Sequence, residues 1–183
     1  GDILIIPTLT NIDRWTSPVI DLERLNTILV KNIINSYTPS YTTYESFGGF
    51  GNGGSVARYI TRRVTLDNNF ASSGLTVYLD VNRQPGTSIE VYYKVMNQFD
   101  VNNFDNNPYV KMNAILTPGS GLSTTGATDW TTDTYQALNI TYNDLSTGSL
   151  YNNFNVFAIK ICFYSDNPSI VPSIKNFRAI ATA

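Results

Sequence analysis

The order of apolar and polar positions along the chain predicts strands. Leu75-Thr76-Val77-Tyr78-Leu79-Asp80-Val81 alternates strictly, which turns Leu75, Val77, Leu79 and Val81 to one face of a pleated strand. Ser88-Ile89-Glu90-Val91-Tyr92-Tyr93-Lys94-Val95-Met96 repeats the pattern with Ile89, Val91, Tyr93 and Val95 inward. Between them, Arg83-Gln84-Pro85-Gly86-Thr87 reads as a turn, because Pro85 presets its φ and Gly86 accepts a positive one. Two alternating runs joined by such a turn predict a hairpin or adjacent strands. Val56 to Leu66 also alternates, with Ile60, Val64 and Leu66 on one face. Arg62 shares their parity, so a bulge or a strand end is expected near Arg62 and Arg63.

Tyr109 to Met112 resumes an extended pattern, and Tyr135 to Tyr142 reads as a strand by alternation. Phe154 to Tyr164 places Phe157, Ile159, Ile161 and Phe163 on one face and Lys160, Cys162 and Tyr164 on the other. Ile174 to Ile180 forms a terminal strand. Polar stretches rich in Gly, Ser, Thr and Asn mark loops at about 36–55, 97–108 and 117–134. Residues 1–16, interrupted by Pro7 and Asn11, read as an N-terminal arm or edge strand. In Ser17 to Ile34 two readings compete. Ser17 and Pro18 suit a helix start followed by Leu22, Leu25 and Leu29, whereas Thr27-Ile28-Leu29-Val30 and Ile33-Ile34 favour extended chain. The β-branched content favours two extended segments. Seven to nine strands, no convincing long helix and no internal repeat predict an all-β fold. The expected form is a two-sheet, jelly-roll-like β-sandwich spanning residues 17–183 as a single domain.

Composition sharpens this picture at the surface. Only 14% of the 183 residues are charged, against about 25% in a typical soluble domain. The exposed side chains are therefore largely uncharged Asn, Thr, Ser and Tyr, which suit packing against other protein. Twelve Tyr and nine Phe favour strands. A net charge of −2 with interspersed signs leaves no electrostatic footprint for nucleic acid or anionic lipid. No apolar run approaches a membrane span. The chain opens Gly1-Asp2 without Met, the start expected of an excised fragment or processed product.

Candidate chemistry is sparse. Gly49-Phe50-Gly51-Asn52-Gly53-Gly54 matches GxGxxG literally, but a loop precedes it and a strand follows, so a flexible turn is expected in place of a dinucleotide site. Asp100, Asn102, Asn103, Asp105, Asn106 and Asn107 offer oxygen ligands for calcium. The EF-hand pattern fails, since Phe104, Asp105 and Lys111 stand where a ligand, a Gly and a Glu are required. A turn whose Asn and Asp side chains bond to their own backbone accounts better for the run.

The sequence contains no histidine, which removes Ser-His-Asp and Cys-His nucleophile systems and histidine-ligated zinc. Asp21, Glu23, Glu45 and Glu90 would serve a two-carboxylate glycosidase, but ordinary surface charge explains them. The single cysteine, Cys162, reads as a small hydrophobe in a strand. Arg58, Arg62 and Arg63 read as solvated strand residues or interface ion pairs. No catalytic residue, cofactor or metal is expected. Exposed aromatics carry more weight: Trp15, Tyr37, Tyr41, Tyr44, Tyr109 and Trp130 are candidates for contact with a neighbouring subunit or with a glycan.

Several blocks in order resemble large virion structural proteins of contractile-tailed phages of marine cyanobacteria. They are Ser17-Pro18-Val19-Ile20-Asp21-Leu22, Ala57-Arg58-Tyr59-Ile60-Thr61-Arg62-Arg63-Val64-Thr65-Leu66 and Pro85-Gly86-Thr87-Ser88-Ile89-Glu90-Val91-Tyr92-Tyr93-Lys94-Val95. Phe104-Asp105-Asn106-Asn107-Pro108-Tyr109 and the ending Lys175-Asn176-Phe177-Arg178-Ala179-Ile180-Ala181 continue the series. The resemblance spans most of positions 17 to 181 and is weak over 116–150. It implies a tail or baseplate component of the virion, without catalytic residues, that pairs with other tail or baseplate proteins and with its own copies. The alternative is a carbohydrate-binding module that contacts a host glycan.

Overall fold

The computed structural model describes residues 33, 34, 36, 55–67, 70–115 and 129–183. The chain divides into two units, Gly1–Val30 and Lys31–Ala183, and the described residues belong to the second. The expected N-terminal arm, the helix-or-strand segment up to Lys31 and the glycine-rich run 49–54 lie outside them.

Among the described residues the fold is all-β and antiparallel, with eleven strands: β1 (Arg58–Ile60), β2 (Val64–Thr65), β3 (Gly74–Asn82), β4 (Thr87–Met96), β5 (Val110–Lys111), β6 (Asn113–Ile115), β7 (Thr131–Ala137), β8 (Tyr142–Asn143), β9 (Leu150–Tyr151), β10 (Val156–Ser165) and β11 (Ser173–Thr182). They form a five-stranded sheet of order β1-β10-β4-β5 with β2 also on β10, a four-stranded sheet of order β11-β3-β7-β6, and the hairpin β8-β9. The helical element among them is a single 3-10 turn at Phe104–Asn106.

The inward faces of β3, β4 and β10 are those the alternation predicts. Leu75, Val77, Leu79 and Val81 of β3 and Ile89, Val91, Tyr93 and Val95 of β4 join Tyr135, Phe157, Ile159 and Ile161 in one apolar core fed by both larger sheets. Each fully buried aliphatic side chain contributes about 1.5–3 kcal/mol relative to exposure.

Three expectations are corrected. First, β3 and β4 do not pair. The turn forms as read, with Gly86 at φ +80 and Thr87 N–H donating to Gln84 O at 3.0 Å, but it carries the chain from one sheet to the other. β3 is already flanked by β11 and β7, and β4 matches β10 along all ten of its residues. That full-length pairing outweighs a local hairpin.

Second, the stretch 56–66 breaks into β1 and β2, with the interruption at Thr61, Arg62 and Arg63 where the parity of Arg62 placed it. Ile60 and Val64 are exposed, contrary to the inward face expected of them. Thr61 docks the break onto β10 by donating its N–H to Ile159 O and accepting Ile159 N–H on its hydroxyl. Third, the loop expected to run to residue 134 ends earlier, at the start of β7, and the strand expected through Tyr142 stops at Ala137. Asn139, just past the end of β7, takes φ 51, a left-handed conformation outside the extended region of the backbone.

Candidate functional site

The most distinctive surface is built by residues 97–107 and the β8-β9 hairpin. Two carboxylates, Asp100 and Asp144, are buried here and tie the two segments together. Asn102 Nδ2 donates to Asp100 Oδ1 at 2.8 Å and to Asp144 Oδ1 at 2.5 Å. Tyr142 OH donates to Asp100 Oδ2 at 3.1 Å and accepts Asn97 N–H at 2.6 Å. Burial is the main cause that pushes the Tyr142 phenol above its ordinary value, so it remains a protonated donor to Asp100. Asp144 also closes its own turn, accepting Ser146 N–H at 2.7 Å, Ser146 Oγ at 2.8 Å and Thr147 N–H at 3.0 Å.

These bonds turn the polar residues inward and their sequence neighbours outward. Phe99 and Val101, either side of Asp100, are 72% and 82% exposed; Leu145, after Asp144, is 60% exposed and Leu150, opposite Asn143 in the hairpin, 69%. The loops are thus braced, and the apolar side chains they present are held in place before any partner arrives.

The backbone Thr147 N–H is the strongest of the contacts that hold the Asp144 carboxyl well below the usual carboxylate range. A group whose folded pKa lies below its unfolded value of about 3.9 stabilises the fold fully above that value and loses the contribution as pH falls through the folded pKa. Asp144→Asn is therefore expected to flatten the loss of stability between about pH 4 and pH 2, read from urea unfolding at each pH.

The Asn/Asp-rich run spends its side chains on its own backbone. Phe99 N–H donates to Asn97 Oδ1 at 2.9 Å, Asn102 N–H to Asp100 Oδ1 at 2.9 Å and Asp105 N–H to Asn103 Oδ1 at 3.1 Å, while Asn107 Nδ2 reaches Val95 O at 2.9 Å. Among the described residues no group of three or more carboxylates or cysteines is arranged to hold a metal ion.

A second cluster lies on the other face of β4 and β10. Glu90, Tyr92 and Lys94 of β4 are buried with Lys160, Cys162 and Tyr164 of β10. Lys160 Nζ lies 4.1 Å from the centroid of the Tyr109 ring and 5.1 Å from that of Tyr92, and Lys94 Nζ lies 4.4 Å from that of Tyr109. Lys94 also donates to Asp105 O at 3.0 Å. Glu90 accepts Tyr92 OH at 2.5 Å and pairs with Lys111. Alternation treats this face as the wet one, and it missed the burial of both lysines. The available signal was two lysines sharing a strand face with Tyr92 and Tyr164, since aromatic faces attract cations.

The predicted contact aromatics separate accordingly. Tyr109 is buried against the two lysines and is not an exposed loop ring. Trp130 is 41% exposed just before β7, with Lys175 Nζ 4.1 Å from its ring centroid. Trp15, Tyr37, Tyr41 and Tyr44 lie outside the described residues, as do Asp21, Glu23 and Glu45. Cys162 is fully buried. Arg58, Arg62 and Arg63 are exposed, and Arg63 Cζ approaches the Phe104 ring centroid at 5.9 Å. Comparison with known proteins finds no matching family, no matching curated protein and no matching solved structure.

Proposed function

We propose that this chain is a non-enzymatic structural domain of a phage tail or baseplate, and that it works in the virion by assembling with its own copies and with other tail or baseplate proteins. Its two larger sheets face each other as a jelly-roll-like sandwich, a form supported by the apolar core to which both contribute. The observation that carries the reading is the set of apolar tips Phe99, Val101, Leu145 and Leu150 on braced loops. Because the hydrogen bonds already brace these loops, less backbone has to be ordered when a partner covers their apolar groups, and exposed apolar side chains brought together in this way suit an interaction site. The resemblance to virion proteins supplies the context. The reading without catalysis rests on the lack of histidine and on carboxylates committed to structural bonds.

Of the candidate contact aromatics among the described residues, only Trp130 is exposed enough to serve a glycan-contacting role, and its ring already carries the Lys175 ammonium, so this is the weaker reading. The test is the double variant Phe99→Ser, Leu145→Ser. Its unfolding free energy is expected to change by no more than about 1 kcal/mol, because exposed substitutions are individually worth about 0.5 kcal/mol or less. Incorporation into particles, read by mass spectrometry and immunogold labelling, is expected to fall at least ten-fold. Full incorporation of a folded double variant would overturn the interface assignment.

A further inference from the structure

Strand β4 is paired along its whole length on one side and only in part on the other. On β10, Ile159 O accepts Thr61 N–H and Phe163 N–H donates to Ala57 O, so the odd-numbered residues of β10 turn their main chain toward β1. Main-chain direction alternates along an antiparallel strand, so the even-numbered residues of β10 bond to Ser88, Glu90 and Tyr92 opposite them. Ile89, Val91, Tyr93 and Val95 consequently direct their N–H and C=O groups to the far edge of β4. Val91 O accepts Met112 N–H at 2.9 Å, Tyr93 lies opposite Val110 of β5, and Val95 O accepts Asn107 Nδ2. Ile89 is left, among the described residues, without a main-chain partner on that edge.

Ile89 lines a cleft of about 320 Å³ whose other walls include Arg83, Lys111, Met112, Ala114 and Tyr135. We propose that this cleft receives an extended peptide segment of a neighbouring subunit, which adds a short strand to β4 at Ile89. The cleft's charges are already matched, Arg83 with Asp133 and Lys111 with Glu90. An ionic occupant would have to compete with those pairs. A peptide residue in extended form carries no charge, and it offers an acceptor and a donor side by side at the spacing of the Ile89 N–H and C=O, as strand-adding ligands do. The exposed wall residues, the methyl of Ala114 and the methylene stem of Lys111, supply apolar contact for its side chains. That the donor is a virion neighbour rests on the assembly reading; the chemistry of the cleft does not.

The probe is N-acetyl-Val-Thr-Val-N-methylamide, titrated into the 15N-labelled chain and followed by amide shifts. A saturable shift of the Ile89 amide is expected with a Kd on the order of 1 mM, as suits a short segment making few bonds. The same peptide N-methylated at all three residues is expected to bind at least ten-fold more weakly. Ala114→Trp, which fills the cleft from an exposed position on β6, is expected to abolish the shift, and Ala114→Ser to retain it. If the Trp variant does not fold, the comparison of the two peptides decides. No saturable shift at Ile89, an equal response to the methylated peptide, or saturation by methyl glucoside instead would overturn the proposal. Particle incorporation of the Phe99→Ser, Leu145→Ser variant tests the assembly reading separately.

Discussion

Asp133→Ala is expected to lower the unfolding free energy by about 3–5 kcal/mol, the cost of leaving a buried charge without its partner. Arg83 and Asp133 are 4% and 8% exposed, and Arg83 Nη2 donates to Asp133 Oδ1 at 3.0 Å while Nη1 pairs with Oδ2. Tyr135 OH donates to the same carboxylate at 3.2 Å, so its removal also orphans a buried phenol. The pair is placed where it clamps the crossover: Arg83 follows β3 at the turn into the other sheet, and Asp133 belongs to β7, the neighbour of β3. Urea unfolding measures the effect, and an unchanged m-value would tie it to the folded state. Arg83→Met with Asp133→Leu is expected to recover most of the loss, because an apolar pair of similar volume removes the desolvation cost with the charges. A loss below about 1 kcal/mol for Asp133→Ala would mean that water reaches the arginine.

Phe154→Ala is expected to cost about 3–5 kcal/mol by opening a cavity in the shared core. Phe154 is fully buried, meets Phe157 edge-on at 6.2 Å between ring centroids, and bridges to Ser72 through bonds of 2.8 and 2.9 Å. Phe99→Ala, removing the same side chain from the apolar tip, is expected to stay within about 0.5 kcal/mol. Thermal unfolding of the two variants side by side checks the contrast. Equal losses would place Phe99 in a packed environment and remove it from the interface.

These two phenylalanines mark the limit of what is legible along the chain. Both follow polar residues and both precede others, and although the pattern puts Phe154 at the head of a strand and Phe99 in a loop, it does not say which of the two is buried. Phe154 is inward because its backbone bridges to Ser72, 82 positions earlier in the chain. Phe99 is outward because Asn97 and Asp100 claim the inward direction of its loop. The candidate site was legible only as an Asn/Asp-rich turn. Its second half, Asp144 and the β8-β9 hairpin, lies more than forty residues away, and no local signal links the two.

Lysines show the same division. Lys111 and Lys160 sit in similar extended, aromatic-rich contexts, yet one is half-exposed and the other fully buried under Tyr109. By itself the sequence determined the strand class, the inward faces of β3, β4 and β10 and the turn at Gly86, because a period of two and a positive φ depend on a few consecutive residues. Which strands pair, that β3 and β4 belong to different sheets, which polar face is also buried and which apolar side chains are left for a partner were decided only by the tertiary structure. Those outcomes depend on competition among edges far apart in sequence, where a ten-residue register between β4 and β10 prevails over the nearest available strand.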